Sequence, residues 1–354
     1  MNTDTAGKWP SLTQLGNAFV DGLLGLATGD AFGVPFEFLS RAQVRAIDPT
    51  EMVGKEDNLP FQSRWGGRIP RGAWSDDTSM TVAAMQSIID HHGKVDYTDI
   101  MEQFRQWWYQ RKYTALDFPF GLGGNINSAM NRYLVGIPAL ECGGTGFMDN
   151  GNGALMRMFP FSMLCIFSDC TDAETMQRIH RAARITHGHE ISTMSCCVYT
   201  FFLQECLRHG DPRLALQKSV LDRLAAYENT FTPDTVYAHK SLFRLASGES
   251  FDPEEIPETG YVVDSLVTAV YSLVKTGSYE DAIRMAVSFG YDTDTNAAIT
   301  GSVAGATYGI EQIPTRWLQV LKKKDELIQI GEQFVKVVFE EKGAMRCSNL
   351  SDNT

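Results

Sequence analysis

The chain has 354 residues, 44% of them hydrophobic and 21% charged, the profile of a globular protein with a substantial core in one large domain or two. Its formal net charge of -12 argues against a nucleic-acid backbone or an anionic membrane as the main partner, because both demand basic patches. Seven cysteines without zinc-ligand spacing, including the neighbours Cys196 and Cys197, point to reduced, buried thiols.

Residues 1–11 are polar and weakly patterned and read as a flexible N-terminus. Lys8, Trp9 and Pro10 stand where a secretory signal would run from basic to apolar, so the expected location is cytoplasmic. From 12 to 341 the periodicity is helical almost throughout. Leu15, Phe19, Gly22, Leu23 and Leu26 share a helix face, and Ala18, Gly22 and Gly25 leave room there for a close neighbour. The stretch from Gly29 to Glu37 then closes this helix with glycines and Pro35, presenting Asp30 and Glu37 from a loop. Taken alone, Asp30 reads as bonding local backbone and Glu37 as a solvated charge.

Ser75-Asp76-Asp77-Thr78 stands directly before a helix whose face carries Met80, Ala84 and Ile88. Further helices are expected at about 98–112, 124–134, 173–186, 190–209, 213–227, 262–275, 279–289, 313–322 and 325–340. Between them, the glycine-rich run from Gly143 to Arg157 leads into a helix, where free backbone N–H groups suit a phosphate or diphosphate; a plain flexible connection is the alternative. It is neither a Walker loop nor a Rossmann fingerprint. The apolar stretch from Ala154 to Phe167 contains Arg157 and Pro160 and is too short to span a bilayer. His187 and His189 lack the further ligands of a zinc site, which leaves His187 a capping or substrate-facing role. Residues 228–260 read as a surface insertion with a short helix near Val236 to Leu245, Lys322-Lys323-Lys324 as a solvated helix face, and 342–354 as a flexible C-terminus.

A second acidic tetrad, Asp292-Thr293-Asp294-Thr295, precedes a helix with Ala297, Gly301, Ala304, Gly305 and Tyr308 on one face. A single Asp, Ser or Thr before a helix needs no explanation beyond capping. A second adjacent carboxylate adds repulsion unless something positive sits between the two. The doubling in both tetrads therefore points to two halves of one site for hard divalent cations, and it folds the two ends of the chain into one α-helical domain.

In this order the segments resemble the ADP-ribosylglycohydrolase family, from about Leu15 to Gly309. The resemblance rests on Gly29-Asp30-Ala31-Phe32-Gly33 with Glu37, Trp74-Ser75-Asp76-Asp77-Thr78, Gly151-Asn152-Gly153-Ala154-Leu155-Met156-Arg157, Thr186-His187, and Gly290-Tyr291-Asp292-Thr293-Asp294-Thr295. It implies an all-α, compact single-domain orthogonal helical bundle with a central binuclear metal cleft. Two Mg²⁺ or Mn²⁺ ions would be held by Ser75, Asp76, Asp77, Asp292, Asp294 and Thr295, with Asp294 as bridge. Glu37, Asp77 and Asp294 would be catalytic, and Gly121, Gly123, Gly151, Asn152, Gly153, Arg157 and His187 would bind ADP-ribose. Two departures stand out: Ser75 where the family often has Thr, and Tyr291 where a second glycine usually precedes the tetrad. The implied activity removes ADP-ribose from protein side chains, arginine first, with immunity against an ADP-ribosyltransferase toxin as one setting. A non-catalytic ADP-ribose-binding or toxin-occluding protein, and a hydrolase of nucleotide phosphoesters, are the competing readings.

Overall fold

The chain begins its first helix where Ser11 accepts from the Gln14 N–H while the Gln14 side chain accepts from the Ser11 N–H, a reciprocal cap that satisfies two otherwise orphaned donors. The computed structural model describes residues 9–61 and 63–351. Its longer helices are α1 (Leu12–Gly33), α2 (Asp76–Asp90), α3 (Tyr97–Gln110), α4 (Gly124–Leu134), α5 (Phe159–Phe167), α6 (Asp172–Arg184), α7 (Glu190–His209), α8 (Val262–Lys275), α9 (Tyr279–Val287), α10 (Thr293–Tyr308) and α11 (Lys324–Ser351). Among the described residues there is no sheet, and the extended pairings are isolated bridges of Gly144 with His187 and Gly151 with Tyr261. The all-α expectation holds.

The centre of the fold is the packing of α1 on α10. A Cβ on Gly25 would lie 2.2 Å from the Gly301 carbonyl oxygen, and one on Gly29 would lie 2.2 Å from that of Ala297. The small residues read from the two periodic stripes are thus matched backbone to backbone, close enough that no larger residue fits. The Tyr279 hydroxyl on α9 donates to the Gly25 carbonyl at 2.6 Å and ties a third helix to the seam. On the other side Phe19 of α1 stacks between Phe159 of α5 and Phe334 of α11, with centroids 5.3 and 4.5 Å away. Aromatic burial of this kind is the largest apolar contribution a side chain makes.

Several expectations change in detail. α1 does not stop before Gly29 but carries Asp30 and ends at Gly33, followed by one tight turn, Val34–Phe36. The helix expected at 213–227 is interrupted by a wide turn at Gln217–Leu221, because Arg223 donates to the Lys218 carbonyl and Tyr227 to that of Ser219. The helix expected at 313–322 is only Thr315–Leu318, since the chain beyond it leaves to pair with 72–74: Lys322 N–H donates to Gly72 O, and Trp74 Nε1 to Lys322 O. Segment 228–260 holds the helices Pro233–Ala238 and Lys240–Ser247 and the single 3-10 turn Pro253–Glu255, and is fastened to the body by Arg41, which bonds the carbonyls of Pro253 and Ile256 and the Glu254 carboxylate. At the ends, 342–351 continue α11, while 1–8 and 352–354 lie outside the described residues. The six cysteines whose side chains are described are free thiols. No helix among the described residues is long and apolar enough to cross a membrane.

Candidate metal centre and cleft

Both tetrads open helices, and only one uses its first residue as a cap. Ser75 Oγ accepts from the Asp77 N–H at 3.4 Å and so begins α2. Asp292 occupies the same place before α10, yet makes no capping bond; its carboxylate accepts from Asn152 Nδ2 at 2.7 Å instead. Capping therefore accounts for Ser75 and does not account for Asp292. Asp76 and Asp77 lie in the first turn of α2 and Asp294 in the first turn of α10, where the positive ends of two helices favour carboxylates.

The helix seam brings these turns together with the end of α1. Carboxylate oxygens of Asp30, Asp77 and Asp294 all lie within 4.8 Å of one another, and so do those of Glu37, Asp292 and Asp294. Asp294 belongs to both groups. The tetrads meet directly, with Thr295 Oγ1 donating to Asp77 Oδ2 at 3.4 Å and Ser75 Oγ donating to the same oxygen at 3.0 Å. Asp77 Oδ1 and Glu37 Oε2 are buried with no hydrogen-bond partner.

Burial and mutual repulsion push these acids upward together. Glu37 rises to about 8 through burial first, then the neighbouring Asp292 and Asp76. Asp76 rises to about 8 through burial and then Asp30, while Asp77 and Asp294 rise well above the carboxylate range for the same reasons. Orphaned carboxylate oxygens, clustered like charges and an all-oxygen donor set are what a hard divalent cation relieves, so the residues present fit such ions.

A cleft of about 350 Å³ opens over this floor. Glu37, Asp76, Asp292, Asp294 and Thr295 line it, with Gly121–Ile126, Gly151–Gly153, Met156 and His187 beside them and Phe38 and Arg64 toward the mouth. Gly121 has φ of 94°, and a Cβ there would lie 2.0 Å from Asp76 Oδ1, so both its backbone and its closeness to that carboxylate call for glycine. The Asn152 N–H is spent on Gly260 O and the Gly146 N–H on the Asp149 carboxylate, so these two amides hold the glycine-rich loop itself. What Asn152 adds to the floor is its side chain, which bonds both Ser265 Oγ and Asp292 Oδ2.

Arg157, expected against substrate, does not line the cleft. It is fully buried, with its guanidinium on Ala182 O and Thr186 Oγ1 and its charge over the Phe104 ring. Its influence on the cleft passes through Thr186. That hydroxyl accepts from Arg157 at 2.7 Å and lies 2.9 Å from His187 Nδ1, a contact that holds the imidazole in place with Nε2 left for the cleft. Burial, then Arg157, drives the imidazole down to about 3, which keeps it neutral.

Sequence reasoning underrated Asp30. Its carboxylate accepts from Ser75 N–H, Thr78 N–H and Thr78 Oγ1, holding the first turn of α2 to α1. Arg64 and Phe38 were also missed; the aromatic and glycine-rich context Arg64-Trp65-Gly66-Gly67 was the available signal for the first.

The sequence profile described as ADP-ribosylglycohydrolase matches residues 11–344. The chain is similar to ADP-ribosylarginine hydrolase Tri1 of Serratia proteamaculans (strain 568), with 30% identity over 90% of this chain and 79% of the relative. It is similar also to the ADP-ribosyl-[dinitrogen reductase] glycohydrolase of Rhodospirillum rubrum, with 28% identity over 86% of this chain and 90% of the relative. Among solved structures, one titled ADP-ribosylglycohydrolase-related protein complex superposes with a TM-score of 0.69 at 27% identity, over 92% of this chain and 99% of that one.

Proposed function

The chain belongs to the ADP-ribosylglycohydrolase family and is a hydrolase, and we propose that it cuts the bond between ADP-ribose and an arginine side chain of a modified protein in a reaction that depends on two divalent cations. The observation that carries this reading is the sharing of Asp294 between two groups of clustered carboxylates. Asp30, Asp77 and Asp294 would hold one ion and Asp292 and Asp294 the other, with Ser75, Asp76 and Thr295 beside them and Glu37 at the edge of the second group. When bound, two Mg²⁺ or Mn²⁺ ions would neutralise this cluster, return Glu37 to its ionised form, and polarise ribose hydroxyls and water.

The protein's own groups then divide the work. Glu37 Oε2, buried and unpartnered, accepts the proton of the attacking water. Water adds at the anomeric carbon, the C–N bond breaks with its electron pair going to nitrogen, and the guanidine takes up the proton that Glu37 removed from water. The positive charge that develops on the sugar faces carboxylates. Asn152 keeps Asp292 in place, neutral His187 offers its Nε2 to the nucleotide, and the glycines at 121, 123, 151 and 153 let the ligand lie close to backbone. Arg157 acts as a positioning residue behind His187. The setting is cytoplasmic, and the same hydrolysis would confer immunity against an ADP-ribosyltransferase toxin by reversing its modification.

The test is release of ADP-ribose from an arginine-ADP-ribosylated protein and a serine-ADP-ribosylated peptide, each with Mg²⁺, with Mn²⁺ and with EDTA. Release from the arginine substrate that EDTA abolishes is expected. Release that survives EDTA overturns the metal role, and release from the serine peptide alone overturns the linkage. Tight ADP-ribose binding without release from either substrate would favour a binding protein.

A further inference from the structure

Phe38 and Tyr291 flank the acidic floor, one following Glu37 in the chain and the other preceding Asp292. Both have left-handed backbones, with φ of 65° and 60°, a region that aromatic residues rarely enter. Two backbone bonds hold them there: Phe38 N–H donates to Tyr291 O at 2.6 Å, and Tyr291 N–H donates to Leu39 O at 2.7 Å. Their rings meet edge to face, with centroids 5.2 Å apart and planes at 76°.

This strain is not explained by core packing, because the rings remain 44% and 39% exposed. Phe38 lines the cleft and the exposed Tyr291 ring packs against it just outside that lining, so strained, solvent-facing side chains at this edge point to a contact with something arriving from outside. Arg64 already covers the Phe38 ring at 5.4 Å, whereas no cation lies over Tyr291 among the described residues. The glycines and His187 make another part of the lining, flat and uncharged. Phe38 and Tyr291 are instead the chain neighbours of Glu37 and Asp292, the groups to which the reading above assigns the cut.

We propose that Tyr291, seated against Phe38, recognises the acceptor: its ring receives the planar guanidinium of ADP-ribosylated arginine. The inference rests on the hydrolytic reading above. A guanidinium is delocalised, weakly hydrated and stacks on aromatic faces, and this one would find an uncovered ring at the edge of a cleft with an acidic floor. A neutral acceptor such as serine gains nothing from the ring.

The experiment compares the unaltered chain with Tyr291→Gly and Tyr291→Phe. Glycine adopts a φ of 60° without strain, so the first variant is expected to fold. In Tyr291→Gly the KM for an ADP-ribosyl-arginine peptide should rise about 3- to 30-fold while the Kd of free ADP-ribose stays within about twofold. Tyr291→Phe should restore KM, because the ring and not the hydroxyl makes the contact. An unchanged KM in Tyr291→Gly overturns the proposal, and so does an equal loss of ADP-ribose affinity, which would put the ring on the nucleotide. Should the unaltered chain cleave no arginine-linked peptide, the hydrolytic reading fails by itself, and direct binding of the intact peptide decides the rim. Weaker peptide binding in Tyr291→Gly at constant ADP-ribose affinity upholds it; equal peptide binding overturns it.

Discussion

Thr295 Oγ1 donates to Asp77 Oδ2 across 218 positions of sequence, the contact at which the two acidic tetrads become one site. Asp77 pays electrostatically for that position, with Oδ1 unpartnered and burial first, then Asp30, Asp76 and Asp292, raising its proton affinity. Removing its charge should help the cation-free protein and harm the loaded one. In Asp77→Asn we expect the melting temperature in EDTA to rise, and the further rise on adding Mg²⁺ or Mn²⁺ to vanish together with hydrolysis. A variant that melts lower in EDTA and keeps its full metal-induced shift would remove Asp77 from the ligand set. Thermal melts with and without each ion decide it.

The same electrostatics predicts how pH acts on the metal-stripped chain. Glu37 and Asp76 are each pushed up to about 8 in the fold, whereas the unfolded chain has ordinary carboxylates. Between those values the native state binds protons that the unfolded state has released, so this stability is present at lower pH and is lost as pH rises through the folded value. Between about pH 7 and 9 the loss should be on the order of 1 kcal/mol per such group, with Asp77 and Asp294 acting in the same direction. The neutral His187 and His239, driven down to about 3 and about 4 by burial, titrate below this window and leave the slope intact. Denaturant midpoints in EDTA should fall across the window, and saturating Mg²⁺ should flatten the dependence. A flat profile in EDTA would contradict the clustering of charge.

Asp30 offers a separate prediction because its role is visible as geometry. Its carboxylate collects two backbone N–H groups and a hydroxyl from the start of α2, at 2.6 to 3.0 Å. In Asp30→Ala those donors lose a charged acceptor inside the core, at a cost of about 2–4 kcal/mol. Asp30→Asn keeps one carbonyl acceptor and should lose roughly half as much. Chemical unfolding of the two variants in EDTA checks the ranking, and equal stability of Ala and Asn would assign the bonds no weight.

How much of this was legible in the sequence depends on the reach of each interaction. The tetrads were legible because two carboxylates in one helical turn are an excess that local capping does not need, and the α1–α10 seam was legible as stripes of small residues. Asp30 was not, because its partners Ser75 and Thr78 lie 45 and 48 positions away and nothing in its own neighbourhood announces them. The glycines at 29 and 33 suggested the end of a helix; α1 runs through Gly29 and ends at Gly33, and both are needed for close approach to α10. Arg157 was expected against the ligand only because the family resemblance implies it. Its burial comes from Phe104 on α3 and Ala182 on α6, neither inferable from the loop. The wide turn at 217–221 likewise depends on where Tyr227 and Arg223 spend their hydrogen bonds.

The seam itself can be tested for what it does to the site. A Cβ on Gly33 would lie 2.3 Å from Thr293 O and 2.5 Å from Asp294 Cα, whereas one on Gly305 would lie 2.4 Å from Asp21 O, at the far end of the same helix pair. Both alanine variants force α1 and α10 apart, and overpacking of this kind costs about 1–3 kcal/mol or more. Only the first pushes directly on the residue that both carboxylate groups share. From Asp294 to Gly305 the helix rises roughly 16 Å, a distance over which a local separation can be absorbed. We therefore expect Gly33→Ala and Gly305→Ala to melt at similarly lowered temperatures in EDTA, with Gly305→Ala keeping its response to Mg²⁺ and Gly33→Ala losing most of it. Equal retention in both would mean that the spacing of the carboxylates tolerates movement of the seam. Equal loss would mean that the helix pair moves as a rigid unit and transmits strain along its whole length.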